Sequence, residues 1–98
     1  MAFTIALSRS AEEDLAWFRK YDRHQVRDAF ITQLAHQPLQ ETRNRKKLRP
    51  NQLAKWELRV GKFRVFYDVD EADALVKVRA IGYKEGNQLF IRGEEYTP

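Results

Sequence analysis

Apolar and polar residues alternate from the start of the chain, with Phe3, Ile5 and Leu7 set against Thr4, Ala6 and Ser8. A period of two is the spacing of a strand with one buried face, so a first strand is predicted here. The period then lengthens. Ala11, Leu15 and Phe18 recur at helical spacing, and Ser10 with Glu13 has the form of a capping box, in which the serine accepts an amide hydrogen bond and the glutamate reaches back. Glu12, Glu13 and Asp14 suit the positive end of that helix, and Arg19 and Lys20 its far end. Asp22 with Gln25 predicts a second cap, followed by an apolar stripe of Val26, Ala29, Phe30 and Leu34 that Pro38 ends. The two helices make an αα-hairpin.

Residues 39–54 carry Arg43, Arg45, Lys46, Lys47 and Arg49 with Pro50 and Asn51 close behind, and show neither period. They are predicted to form a basic loop. Alternation returns with Trp56, Leu58 and Val60, interrupted by Glu57 and Arg59, up to a Gly61-Lys62 pair that signals a tight hairpin. With those two residues as the turn, Val60 faces Phe63, Leu58 faces Val65 and Trp56 faces Tyr67, so every apolar residue falls on one side. A slip of one residue would reverse all of them, which makes this register well determined. A four-residue loop over Glu71–Ala74 likewise predicts Val69 opposite Val76, Tyr67 opposite Val78 and Val65 opposite Ala80. The predicted class is α+β: an N-terminal strand, an αα-hairpin, and an antiparallel meander packed on the helices.

The other side of the meander then carries Glu57, Arg59, Arg64, Phe66, Asp68, Lys77, Arg79, Ile81 and Tyr83. Asp68 opposite Lys77 is a neutral pair, and Arg79 opposite Phe66 can lie over the ring. Arg59 opposite Arg64 opposes folding unless the two charges are compensated. Two compensations are open: an anion bound between them, or Glu57, diagonal to Arg64. The same register sets Gly82 opposite Phe63 and brings Tyr83 and Lys84 towards the two arginines. Such a cluster, edged by the stretch from Arg43 to Arg49, suits successive phosphates of an RNA strand with aromatic rings stacking on bases.

Composition narrows the possibilities. The 98 residues, 43% of them apolar, suffice for one domain over 1–98. The absence of cysteine excludes a disulfide, a thiolate zinc site and a thiol nucleophile, and two histidines without orienting carboxylates, His24 and His36, read as solvated or packing residues. No cofactor and no metal is expected. Neither an export signal nor a run of about 20 apolar residues is visible, so no membrane association is expected. The net charge of +4 is unevenly spread: residues 1–40 sum to zero, residues 41–84 hold twelve basic against six acidic side chains, and the last fourteen sum to −2. A basic centre of this kind is the footprint of a polyanionic partner.

The words of the sequence resemble the RelE/ParE family of bacterial toxins from toxin–antitoxin pairs. The likeness is carried by residues 8–15 (SRSAEEDL), 47–49 (KLR), 56–67 (WELRVGKFRVFY) and 80–84 (AIGYK), and so spans nearly the whole chain. It implies a RelE-like fold and a cytoplasmic toxin held inactive by a cognate antitoxin in a hetero-oligomer. In the RelE-like branch it implies ribosome-dependent cleavage of mRNA without a metal; in the ParE-like branch, inhibition of DNA gyrase. The expected catalytic set is Lys55, Glu57, Arg59, Arg64 and Lys84: by resemblance Arg64 and Lys55 match family positions and Lys84 occupies the slot of a second arginine, while Arg59 enters through its place opposite Arg64. RNA contacts are expected from Arg43, Arg45, Lys46, Lys47, Arg49, Lys62, Arg79, Tyr83 and Phe90. Two positions depart from the pattern: Glu57 replaces a lysine and is able to act as a general base, and Phe90 replaces a tyrosine, whose hydroxyl would then come from Tyr83 or Tyr96. A non-catalytic nucleic-acid- or antitoxin-binding module is the remaining alternative.

Overall fold

A computed structural model describes residues 2–97. Its elements follow the predicted order and extend it: β1 (Thr4–Leu7), α1 (Arg9–Trp17), α2 (Lys20–Leu34), β2 (Arg45–Lys47), β3 (Trp56–Val60), β4 (Phe63–Asp70), β5 (Leu75–Glu85), β6 (Gln88–Ile91) and β7 (Glu94–Tyr96). Strands β2 to β7 run in sequence order across one sheet, and β1 lies parallel to the first half of β5. The helices cover one face, called inner below. There Leu15, Val26, Phe30 and Leu34 meet Leu58, Val65, Tyr67, Val76, Val78 and Ile81 in the main core. Tyr67 is fully buried, and its hydroxyl donates to the Pro38 carbonyl at 2.7 Å, tying the sheet to the end of the helical hairpin. No helix among the described residues is long and apolar enough to cross a membrane.

Both predicted caps are displaced. Ser8, not Ser10, caps α1, its Oγ accepting from the Ala11 amide at 3.1 Å. The cause is the end of β1: the Ser8 amide donates to the Val78 carbonyl at 2.9 Å, so the backbone is free to coil immediately afterwards and Ser10 is already helical. The N-cap of α2 is Arg19 without a side-chain cap, while Asp22 sits in the first turn, 3.6 Å from the Arg19 guanidinium. The basic stretch is not all loop. Its residues Arg45–Lys47 form the edge strand β2, antiparallel to β3. Three adjacent cations have no apolar alternation to betray a strand, and lysines are well suited to an unpaired edge.

The hairpin register Val60–Phe63, Leu58–Val65, Trp56–Tyr67 is as predicted, and so are Tyr67–Val78 and Val69–Val76. Between them β5 bulges. Phe66 faces Ala80 rather than Arg79, Val65 faces Ile81 rather than Ala80, and Phe63 faces Tyr83 rather than Gly82. Arg79 is the extra residue. A bulge lets two successive side chains share a face; here Arg79 and Ala80 both turn outward, and Val78 and Ile81 both reach the core. Ile81 and Tyr83 therefore move from the predicted polar face to the inner one.

Strand β5 is paired along its other edge by β1 up to Val78 and by β6 from Tyr83, which leaves an interval that α1 fills. The Ser8 hydroxyl donates to the Arg79 carbonyl at 3.2 Å, and Asp14 Oδ2 accepts from the Ile81 amide at 3.0 Å. Asp14 is only 1% exposed, with Oδ1 at 3.0 Å from Arg92 Nε. Burial holds its carboxyl above the ordinary value of 3.8, against the opposing pull of the Ile81 amide and Arg92. A carboxyl whose folded pKa is raised binds more protons folded than unfolded, so its contribution to stability falls as pH climbs from about 3.8 through the folded value. Asp14→Asn keeps an acceptor for Ile81 and should lack that fall. Urea denaturation of both proteins between about pH 4 and pH 7 checks this, and identical pH profiles would contradict it.

Candidate active site

The outer face of the sheet is not open. The segment 48–54 and the β6–β7 hairpin lie over it, and Ala54, Phe66 and Ala80 are buried beneath them with Leu48, Leu53, Leu89 and Ile91. Phe66 is thus a packing residue. Asn51 shapes the covering segment: its amide donates to the Arg49 and Ala54 carbonyls, both at 2.8 Å, and its Oδ1 accepts from the Leu53 and Ala54 amides at 2.7 and 3.0 Å. At Gly82 a Cβ would collide with the Phe90 carbonyl oxygen and the Ile91 side chain, so the absence of a side chain there lets β6 cross close to β5.

Two clefts remain on this face. The first, about 590 Å³, brings together Arg49, Glu57, Phe66, Lys84, Gln88 and Tyr96. The second, about 620 Å³, opens on the other side of the 48–54 segment between Lys47, Arg49, Lys55, Asp68 and Arg79. A larger depression of about 950 Å³ lies beside Asp14, lined also by Arg79, Arg92, Glu94 and Glu95, and there Asp14 and Arg92 face each other at 3.0 Å.

Glu57 is the centre of the first cleft. Only 6% exposed, it holds Oε1 at 3.1 Å from Arg59 Nε and 3.9 Å from Arg64 Nε, while Lys46 stands opposite it on β2. The like-charged pair Arg59–Arg64 does face itself across the ladder, and Glu57 Oε1 lies against both guanidinium groups. The hydrogen bond to Arg59 runs through Oε1. Arg64 turns back to its own hairpin, with Nη1 donating to the Gly61 and Phe63 carbonyls at 2.8 and 2.9 Å. Burial lowers its pKa from the ordinary arginine value, Glu57 raises it, and Arg59 lowers it again. Lys84 enters the cleft, as does Tyr96, whose hydroxyl is buried without a hydrogen-bond partner among the described residues.

The structure separates the remaining predicted residues. Lys55 lines the second cleft, its amide bonded to Asp68 Oδ1 at 2.8 Å, and does not join Glu57. Arg45 points to the inner side, where its Nη1 donates to the Gln33 and His36 carbonyls at 2.9 and 3.1 Å and braces the end of α2. Lys62 lies over the Phe63 and Tyr83 rings, at 5.6 and 5.8 Å. Tyr83 stacks on Trp17 at 5.8 Å and on Phe90 at 5.4 Å. Lys62, Tyr83 and Phe90 therefore sit on the face opposite Glu57, and the expected approach of Tyr83 to the two arginines does not form. Arg43 is exposed and lines neither cleft. Sequence reasoning missed the structural parts of Asn51 and Asp14. A Pro-Asn pair is a turn signal that points to the former; an acidic residue within a helix gives no hint of the latter.

A search of curated proteins gives no match. Two solved structures share the fold. The toxin–antitoxin complex RelBE2 from Mycobacterium tuberculosis matches with a TM-score of 0.75 at 21% identity, over 86% of this chain and 93% of that one. The archaeal RelE–RelB complex from Pyrococcus horikoshii OT3 matches with a TM-score of 0.67 at 19% identity, over 88% and 98%. A family model described as the ParE toxin of the type II toxin–antitoxin system parDE matches residues 5–87, which include the sheet from Ile5 to the end of β5 and the residues Glu57 and Lys84 of the first cleft. The chain belongs to this toxin family, within the RelE/ParE superfamily of type II toxin–antitoxin systems.

Proposed function

We propose that this toxin is a metal-independent endoribonuclease that cuts mRNA on the ribosome in the cytoplasm and is restrained by a cognate antitoxin. One observation carries the reading: a single cleft is lined by the Glu57 carboxylate, the Lys84 ammonium, the Arg49 guanidinium and Tyr96, whose hydroxyl has no hydrogen-bond partner among the described residues, together with a second carboxylate, Glu95. Cleavage of RNA by its own 2′-hydroxyl requires proton transfer and charge stabilisation. Glu57 Oε2 takes the 2′-hydroxyl proton, O2′ attacks phosphorus, and the bond to the 5′-oxygen breaks to leave a 2′,3′-cyclic phosphate. Lys84 gives its proton to the departing oxygen. Arg49 and the Tyr96 hydroxyl stabilise the charge on the non-bridging oxygens. Arg59 and Arg64 are positioning residues that orient Glu57, and Lys55 lies outside the chemistry.

A second reading, inhibition of DNA gyrase without cleavage, is favoured by the match to the ParE model and by the internal engagement of Arg64. Induction of the chain alone in bacteria separates the two. Early arrest of translation with new transcript ends is the expected result; loss of DNA supercoiling with intact transcripts would overturn it in favour of the second.

A further inference from the structure

The β6–β7 hairpin carries Tyr96 into the first cleft, yet its hydroxyl makes no hydrogen bond there among the described residues. The backbone gives limited support: β7 pairs only with β6, and β6 pairs with β5 only from Gln88 to Phe90. Beyond Phe90 the hairpin is anchored at its turn, on α1. Arg92 Nε lies 3.0 Å from Asp14 Oδ1, and Arg92 Nη1 lies 3.5 Å from Glu13 Oε1. Asp14 is almost fully buried, and Arg92 is its one ion-pair partner among the described residues. Three residues further along the helix, the Trp17 ring meets the Gly93 backbone so closely that a Cβ there would stand 2.9 Å from Cζ2. Arg92 and Gly93 both have positive φ, 50° and 78°. A tight turn of this shape favours Asn-Gly, and an arginine at its first position is unfavourable unless its side chain gains elsewhere. What it gains is the buried carboxylate, which is itself costly without a cation. Each group accounts for the other at the point where hairpin and helix meet.

We propose that the Asp14–Arg92 ion pair is a latch that seats the β6–β7 hairpin over the first cleft, which makes Asp14 and Arg92 positioning residues that act through Tyr96. For the part that Tyr96 plays, it rests on the nuclease reading above. The ladder transmits the placement of the turn: Ile91 faces Glu94, Phe90 faces Glu95 and Leu89 faces Tyr96. With the latch released the turn lifts from Trp17, and the Tyr96 hydroxyl moves away from the phosphate oxygens it stabilises. Leu89 still packs on the outer core and β6 keeps its pairing with β5, so the fold survives the release.

The test uses the full chain and the double variant Asp14→Asn with Arg92→Gln. Both charges go together, so no buried charge is left unpaired, and the asparagine side chain still accepts from the Ile81 amide. Amide hydrogen exchange without RNA should speed up about tenfold or more across β6 and β7 and stay unchanged in α2 and β4. In ribosomal cleavage kcat should fall about tenfold while KM stays within about twofold, as expected when a group is misplaced without loss of binding. In a Tyr96→Phe background the same two substitutions should lower kcat no further. Arg92→Lys alone, which keeps the charge, should recover most of both effects. Unchanged exchange in the hairpin, or equal acceleration in every element, would overturn the latch. An equal fall in kcat with and without the Tyr96 hydroxyl would overturn the action through Tyr96, and recovery of neither effect by Arg92→Lys would overturn the ion pair as its cause. If wild-type protein never cuts mRNA, the nuclease reading and the part of Tyr96 in it are rejected; faster exchange confined to the hairpin would then still uphold the latch.

Discussion

Glu57→Gln is expected to lower mRNA cleavage by about 10²- to 10⁴-fold, the range lost when a positioned general base is removed. The substitution keeps the shape of a side chain that is only 6% exposed and removes the charge that two arginines share. A stability cost of about 1–3 kcal/mol should accompany it, because Arg64 is left largely buried beside Arg59 without a counter-ion. The two effects separate experimentally: denaturation measures the second, and single-turnover cleavage at a temperature where the variant is folded measures the first. Arg64→Ala gives the contrast. Its guanidinium is committed to the Gly61 and Phe63 carbonyls, so it should lower cleavage less than Glu57→Gln does. Undiminished cleavage by Glu57→Gln in a folded protein would remove the base from the mechanism, and a larger loss from Arg64→Ala would move the site towards the turn.

Ile81→Ala should destabilise the fold by about 2–5 kcal/mol, the cost of truncating a fully buried aliphatic side chain. For a domain of this size that lowers Tm by roughly 10 °C or more. Unbroken alternation from Val76 would have placed Ile81 on the outer face, where truncation changes stability by only about 0.5 kcal/mol. Thermal melts of the variant therefore test the bulge directly. A Tm within a degree or two of the parent would mean that the register runs through Arg79 without interruption. The same bulge decides the functional map, since it sends Tyr83 inward to Trp17 and Lys84 outward to the cleft of Glu57.

What could be read from the sequence was whatever depends on local period and on neighbours joined by a short turn. The alternation on each side of Gly61-Lys62 specified the β3–β4 register to the residue, and with it the facing arginines and the place of Glu57 beside them. The helical stripe of Val26, Phe30 and Leu34 specified the buried side of α2. The family likeness needed no more than these words in this order. The remaining features depend on contacts between distant segments, which no local pattern encodes. Arg79 becomes an extra residue because Ile81 fits the core and its amide finds Asp14, 67 positions earlier. The outer face is roofed because Leu48, Leu53, Leu89 and Ile91 converge on Phe66, and each of them taken singly reads as an ordinary loop or strand residue. That roof divides one predicted basic surface into two clefts, puts Tyr96 with Glu57, and separates Lys55 from it. Sequence alone thus determined β1, the two helices, β3 to β5 and the chemistry available; tertiary packing, by choosing which apolar side chains to bury, decided which charged groups meet.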